Sequence, residues 1–189
     1  MRATKFITVT ALFTALLIGV QFALSVVGGV ELVTVVFLSF CLCFGVKAGV
    51  TVGVSFSLIR CFIFGFYPSV VVLYLVYYTL FGLFFGFSGV KFAGRITPAF
   101  YFTVVITATA FTAFFTLLDD LITPLMYGFN LKSMKAYFYA SLPFMLTQCI
   151  CAAVSVAALF VPLVKVFSMA AGKSFEIKFR KSYKNESNS

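Results

Sequence analysis

The chain has 189 residues, of which 62% are hydrophobic and only 10% charged, with 27 Phe and neither His nor Trp. Soluble domains hold nearer ~45–50% apolar residues, so this composition excludes a water-soluble globular protein and places the chain in a bilayer. The net charge of +9 is set by 14 basic residues against 5 acidic ones, and the lack of histidine removes the commonest metal ligand and general base.

Long apolar runs predict six membrane spans, at residues 6–27, 32–46, 48–66, 70–90, 99–118 and 139–164. The expected fold is all-α and polytopic: a six-span transmembrane domain over residues 1–167, followed by a basic cytoplasmic tail over 168–189. A helix rises about 1.5 Å per residue and the hydrocarbon core is about 30 Å thick, so about 20 residues cross it. The first run follows Arg2 and Lys5, as in a secretory signal. At about 22 residues it exceeds the usual apolar core of such a signal and is expected to remain as span one. Within it, Ala11, Ala15, Gly19 and Ala23 recur at every fourth position, a stripe that lets another helix approach closely.

Span two is short, and only the stretch Gly45 to Gly49 separates it from span three, which predicts a tight helical hairpin. Other small-residue rows, Gly45/Gly49/Gly53, Gly82/Gly86 and Cys149/Ala153/Ala157, are expected to pack within the bundle. The five cysteines, Cys41, Cys43, Cys61, Cys149 and Cys151, all fall in apolar runs. Residues separated by one position stand about 200° apart on a helix, so neither C-x-C pair faces one metal ion, and no metal site or cofactor is expected.

The polar residues gather toward one leaflet. Gln21 ends span one, Glu31 opens span two, Arg60 lies inside span three, and Tyr67, Tyr74, Tyr77 and Tyr78 precede or line the start of span four. Asp119 and Asp120 end span five, Asn130, Lys132 and Lys135 lie in the connection that follows, and Gln148 lies within span six. Singly these residues fit span ends and an interfacial aromatic belt; together they suggest an outward-facing pocket. An intramembrane arginine is a site candidate with a carboxylate partner, here Glu31 or Asp119, and serves either an anionic ligand group or the bundle itself. Candidate substrate-binding residues are therefore Glu31, Arg60, Tyr74, Tyr77, Tyr78, Asp119, Asn130 and Gln148. The connection from Asp119 to Pro143 is too apolar for a solvated linker, and reads either as a lid over the bundle or as an interfacial helix, punctuated by Pro124 and Gly128.

Charge position sets the expected orientation. With a cytoplasmic N-terminus, eleven Lys and Arg residues face inside and two, Lys132 and Lys135, face outside, which favours both termini in the cytoplasm. The basic tail is then a topology signal that also suits anionic headgroups, and nucleic acid is not an expected partner. No phosphate-binding loop, H-E-x-x-H or G-x-S-x-G motif is present, and two neighbouring acids at a span end are thin support for an enzyme.

Six spans in about 190 residues, cytoplasmic termini and the Ala-x-x-x-Ala pair of Ala11 and Ala15 resemble the S components of energy-coupling factor (ECF) transporters. The segments ELVTVVFLSFCLCFGVKAG and FFTLLDDLITPLMYGF look like members of the same group. The resemblance implies a substrate-capture subunit of the bacterial plasma membrane, not an enzyme. Such a subunit binds a vitamin or related micronutrient outside and works with a transmembrane coupling subunit and two cytoplasmic ATPases. By the same resemblance Ala11 and Ala15 form the partner-coupling surface, and spacing extends it to Gly19. The tyrosine-rich outer half suits a flat heterocycle of riboflavin, thiamine, pyridoxine or queuine type over a metal ion. The rival reading is a non-transport multispan scaffold of the rod-shape type, whose polar residues would only bond helices together.

Overall fold

A computed structural model of the chain describes residues 3–25, 32–91, 95–172 and 176–177. The protein is an all-α polytopic membrane protein. Its helices are α1 (Ala3–Leu24), α2 (Val33–Phe44), α3 (Val46–Phe64), α4 (Pro68–Lys91), α5 (Pro98–Met126) and α6 (Leu131–Ala171). All but α2 are long and apolar enough to cross a membrane. Two two-residue strands, β1 (Arg95–Ile96) and β2 (Glu176–Ile177), pair in parallel and return the chain beyond α6 to the α4–α5 connection.

The centre of the bundle is α2. Its sequence, VTVVFLSFCLCF, is apolar on every side, and every residue from Val33 to Cys43 is buried among the other helices. A helix with no polar face has only an interior to occupy. Gly45, at φ 85°, makes the whole turn into α3 in a left-handed backbone conformation that side chains resist. The expected five-residue hairpin therefore shrinks to one glycine, because Val46 already opens the next helix.

Two glycine rows hold α3 against α4. A Cβ built on Gly53 would lie 2.8 Å from the Tyr78 carbonyl oxygen, and one on Gly82 would lie 2.9 Å from the Gly49 carbonyl carbon. Gly86 would meet the Val46 Cα at 2.6 Å, so backbone rests directly on backbone along the pair. In lipid, such close dispersion contact replaces the hydrophobic drive that packs helices in water. Ser57 adds a polar rivet, its hydroxyl donating to the carbonyls of Gly53 at 2.8 Å and Tyr74 at 3.0 Å.

The largest departure from expectation lies in the stretch read as a long connection after span five. Instead of a lid or a separate interfacial helix, residues from Asp119 onward extend α5 to Met126, and α6 begins at Leu131. Only residues 127–130 join them, with Gly128 at φ 66° in the turn and Pro124 inside α5. The polar residues did not end the helices because they find partners across the α5–α6 seam, described below. With 41 residues, α6 is about 60 Å long, roughly twice the hydrocarbon thickness, so it extends past a single bilayer core at one end or both.

Candidate functional site

Three helices meet at Tyr74. Its ring lies under the Arg60 guanidinium, with Cζ 3.9 Å from the ring centroid, while its hydroxyl accepts from Gln21 Nε2 at 3.4 Å. Phe64, one turn beyond Arg60 on α3, offers a second ring at 5.3 Å. Cation–π contact of this kind strengthens where water is scarce and lets an arginine sit within a span. Arg60 Nε and Gln21 Oε1 are nevertheless buried with no hydrogen-bond partner among the described residues. The node thus offers one donor and one acceptor that its own side chains do not use.

Of the two carboxylates expected to face Arg60, Glu31 lies outside the described residues. Asp119 is engaged elsewhere: its oxygens accept from Thr123 Oγ1 at 2.6 Å and from the Tyr137 hydroxyl at 3.0 Å. Among the described residues Arg60 meets the aromatic faces of Tyr74 and Phe64, and Asp119 is held by other partners.

The other tyrosines belong to the aromatic core. Tyr77 packs on Phe115 at 4.8 Å and Phe81 at 5.7 Å, and Tyr78 packs edge-on against Phe56 at 4.9 Å and Phe37 at 5.5 Å. Buried to 1% and 4% exposure respectively, they form a wall behind Tyr74, which itself touches Phe115 at 5.3 Å. Tyr67 falls outside α4 and is exposed.

The α5–α6 seam is polar in its upper half. Along α5 the buried positions run Phe100, Val104, Ala108, Thr112, Thr116, Asp120, Pro124, one every four residues. Successive members stand about 40° apart around the helix, so the row winds slowly along α5 as a stripe, and its members Thr116 and Asp120 meet α6. Thr116 Oγ1 donates to Gln148 Oε1 at 3.1 Å, and Ser141 Oγ donates to Asp120 Oδ2 at 2.6 Å. Gln148 is thus an interhelical partner. Asn130 caps α6, its side-chain oxygen accepting from the Ser133 amide at 2.8 Å, a role that satisfies an otherwise orphaned helix-terminal amide.

Two surfaces complete the description. An apolar groove of about 560 Å³ opens between α4 and α5, lined by Leu80, Phe84, Phe87, Ala110 and Phe114 among others. It has little with which to orient a polar ligand, so the Tyr74 node and the acidic seam define the candidate site. On α1, Phe13, Thr14 and Leu17 point into the bundle, while Ala11, Ala15, Gly19 and Ala23 are all exposed. A Cβ on Gly19 would meet nothing within 4 Å.

Among the described residues, no three His, Cys, Asp or Glu side chains come together as metal ligands. Comparison with protein-family models, curated proteins and solved structures finds no match. Sequence reading singled out neither Tyr137 nor Ser141 as a partner of the aspartates. The every-fourth-residue row on α5 was the available signal, hidden by reading Asp119 as a helix end.

Proposed function

We propose that this chain is the substrate-capture subunit of an ECF-type importer in a bacterial plasma membrane. It takes a vitamin-like heterocycle from outside and passes it on with a transmembrane coupling subunit and two ATPase subunits. The observation that carries the reading is the outward face of α1. The glycine rows of α3 and α4 are consumed by packing inside the bundle, whereas Ala11, Ala15 and Gly19 on α1 are exposed and a Cβ on Gly19 would meet nothing within 4 Å. A smooth face turned to lipid is suited to a second helix that docks by close backbone approach and exchanges readily. The Tyr74 node supports capture, because Arg60 and Gln21 keep polar atoms in reserve beside an aromatic wall.

The test is mass spectrometry of gently purified protein together with capture of its membrane partners. A stoichiometric micronutrient and an associated coupling subunit are expected. Their joint absence would overturn the proposal in favour of a multispan scaffold, which needs no small ligand.

A further inference from the structure

The acidic pair on α5 is built in a way that hydrogen bonding within the bundle does not complete. Asp120 is 6% exposed and fixed by Ser141 through Oδ2, yet its Oδ1 is buried with no partner among the described residues. Asp119, its neighbour, is held by the hydroxyls of Thr123 and Tyr137. Among the described residues, hydroxyl dipoles face both carboxylates at the helix interface, and a buried acceptor left open is destabilising. The basic residues on this stretch of α6, Lys132 and Lys135, are exposed and stand more than about 100° around the helix from Tyr137 and Ser141.

The surroundings are aromatic. Tyr137 packs edge-on against Phe129 at 6.1 Å, and Phe115, one turn before Asp119 on the same side of α5, belongs to the wall that holds Tyr74. A carboxylate pair with aromatic residues near it suits an organic cation, whose charge is diffuse and weakly hydrated. A bare metal ion would require more oxygen ligands than this seam gathers.

We propose that Asp119 and Asp120 receive a positively charged organic group, a protonated amine or quaternary nitrogen on a ring-bearing ligand, with Asp120 Oδ1 as its buried acceptor. This names the substrate class for the capture function above and rests on that reading for the existence of a physiological ligand.

The full chain in lipid nanodiscs is titrated with thiamine and benzyltrimethylammonium, with riboflavin as an uncharged aromatic, and with sodium and magnesium chloride. At least one organic cation is expected to bind the wild-type chain and to lose about tenfold or more in affinity in Asp120→Asn and Asp119→Asn. Asp119→Asn keeps the shape of the half-buried member, and melting curves of both variants separate lost binding from lost fold. Three results overturn the proposal: neither organic cation binds, the asparagine variants bind them as tightly as wild type, or only the metal salts show carboxylate-dependent binding. Carboxylate-dependent cation binding without any coupling-subunit association would leave this inference standing and sink the importer. Riboflavin bound equally well by both variants, with no binding of the organic cations, would do the reverse.

Discussion

Arg60 is the residue whose role separates a site from a scaffold. It stacks on Tyr74 and leaves Nε without a hydrogen-bond partner among the described residues, so a methionine of similar length keeps the packing and removes a costly charge. Arg60→Met is expected to leave the melting temperature equal or higher while weakening ligand affinity by about tenfold or more, since hydrogen bonds to charged groups contribute about 1.5–3 kcal/mol. A collapsed fold in Arg60→Met would show that the arginine serves the bundle. The glycines give a sharper contrast. Gly82→Ala places a methyl against the Gly49 backbone and is expected to cost about 1–3 kcal/mol, read as a lower melting temperature. Gly19→Ala meets nothing within 4 Å and should be neutral or gain up to about 1 kcal/mol from helix propensity.

At the scale of elements, the seam between α5 and α6 predicts how its polar pairs behave. Gln148→Leu strands Thr116 and is expected to cost roughly 0.6–1.7 kcal/mol, whereas Thr116→Val with Gln148→Leu should recover most of it, in a denaturation series on the two variants. The helices themselves were largely legible in the sequence, because an apolar run of about 20 residues has few alternatives in lipid. Span two was read as short and is 12 residues long in α2, and the glycine rows of α3 and α4 were expected to pack inside. The tip of the α5–α6 hairpin was not legible. Asp119, Asp120 and Pro124 each signal a helix end locally, and only cross-helix partners 18 to 21 residues away reverse that signal. The same blindness hid the second use of Asn130 and Gln148. A residue list gives chemistry and depth, but not which neighbour has already taken the hydrogen bond.

For the whole molecule, the alternation of helices puts the turn at 127–130 on the side opposite the start of α1 and the end of α6. On the proposed reading, the basic residues counted by side are expected to put that turn outside the cell and both termini within. An impermeant thiol reagent applied to intact cells is expected to label Tyr127→Cys at the exposed turn and not Lys5→Cys, the native cysteines lying inside helices. The reverse pattern would invert the proposed route of the substrate. The central claim, that α1 docks a coupling partner, is tested most directly by measuring uptake and ligand binding in the same Ala11→Leu/Ala15→Leu variant. The account predicts uptake lost with binding preserved, because two leucines roughen only the outward stripe. Uptake preserved at the wild-type rate, or binding lost in a properly folded variant, would contradict it.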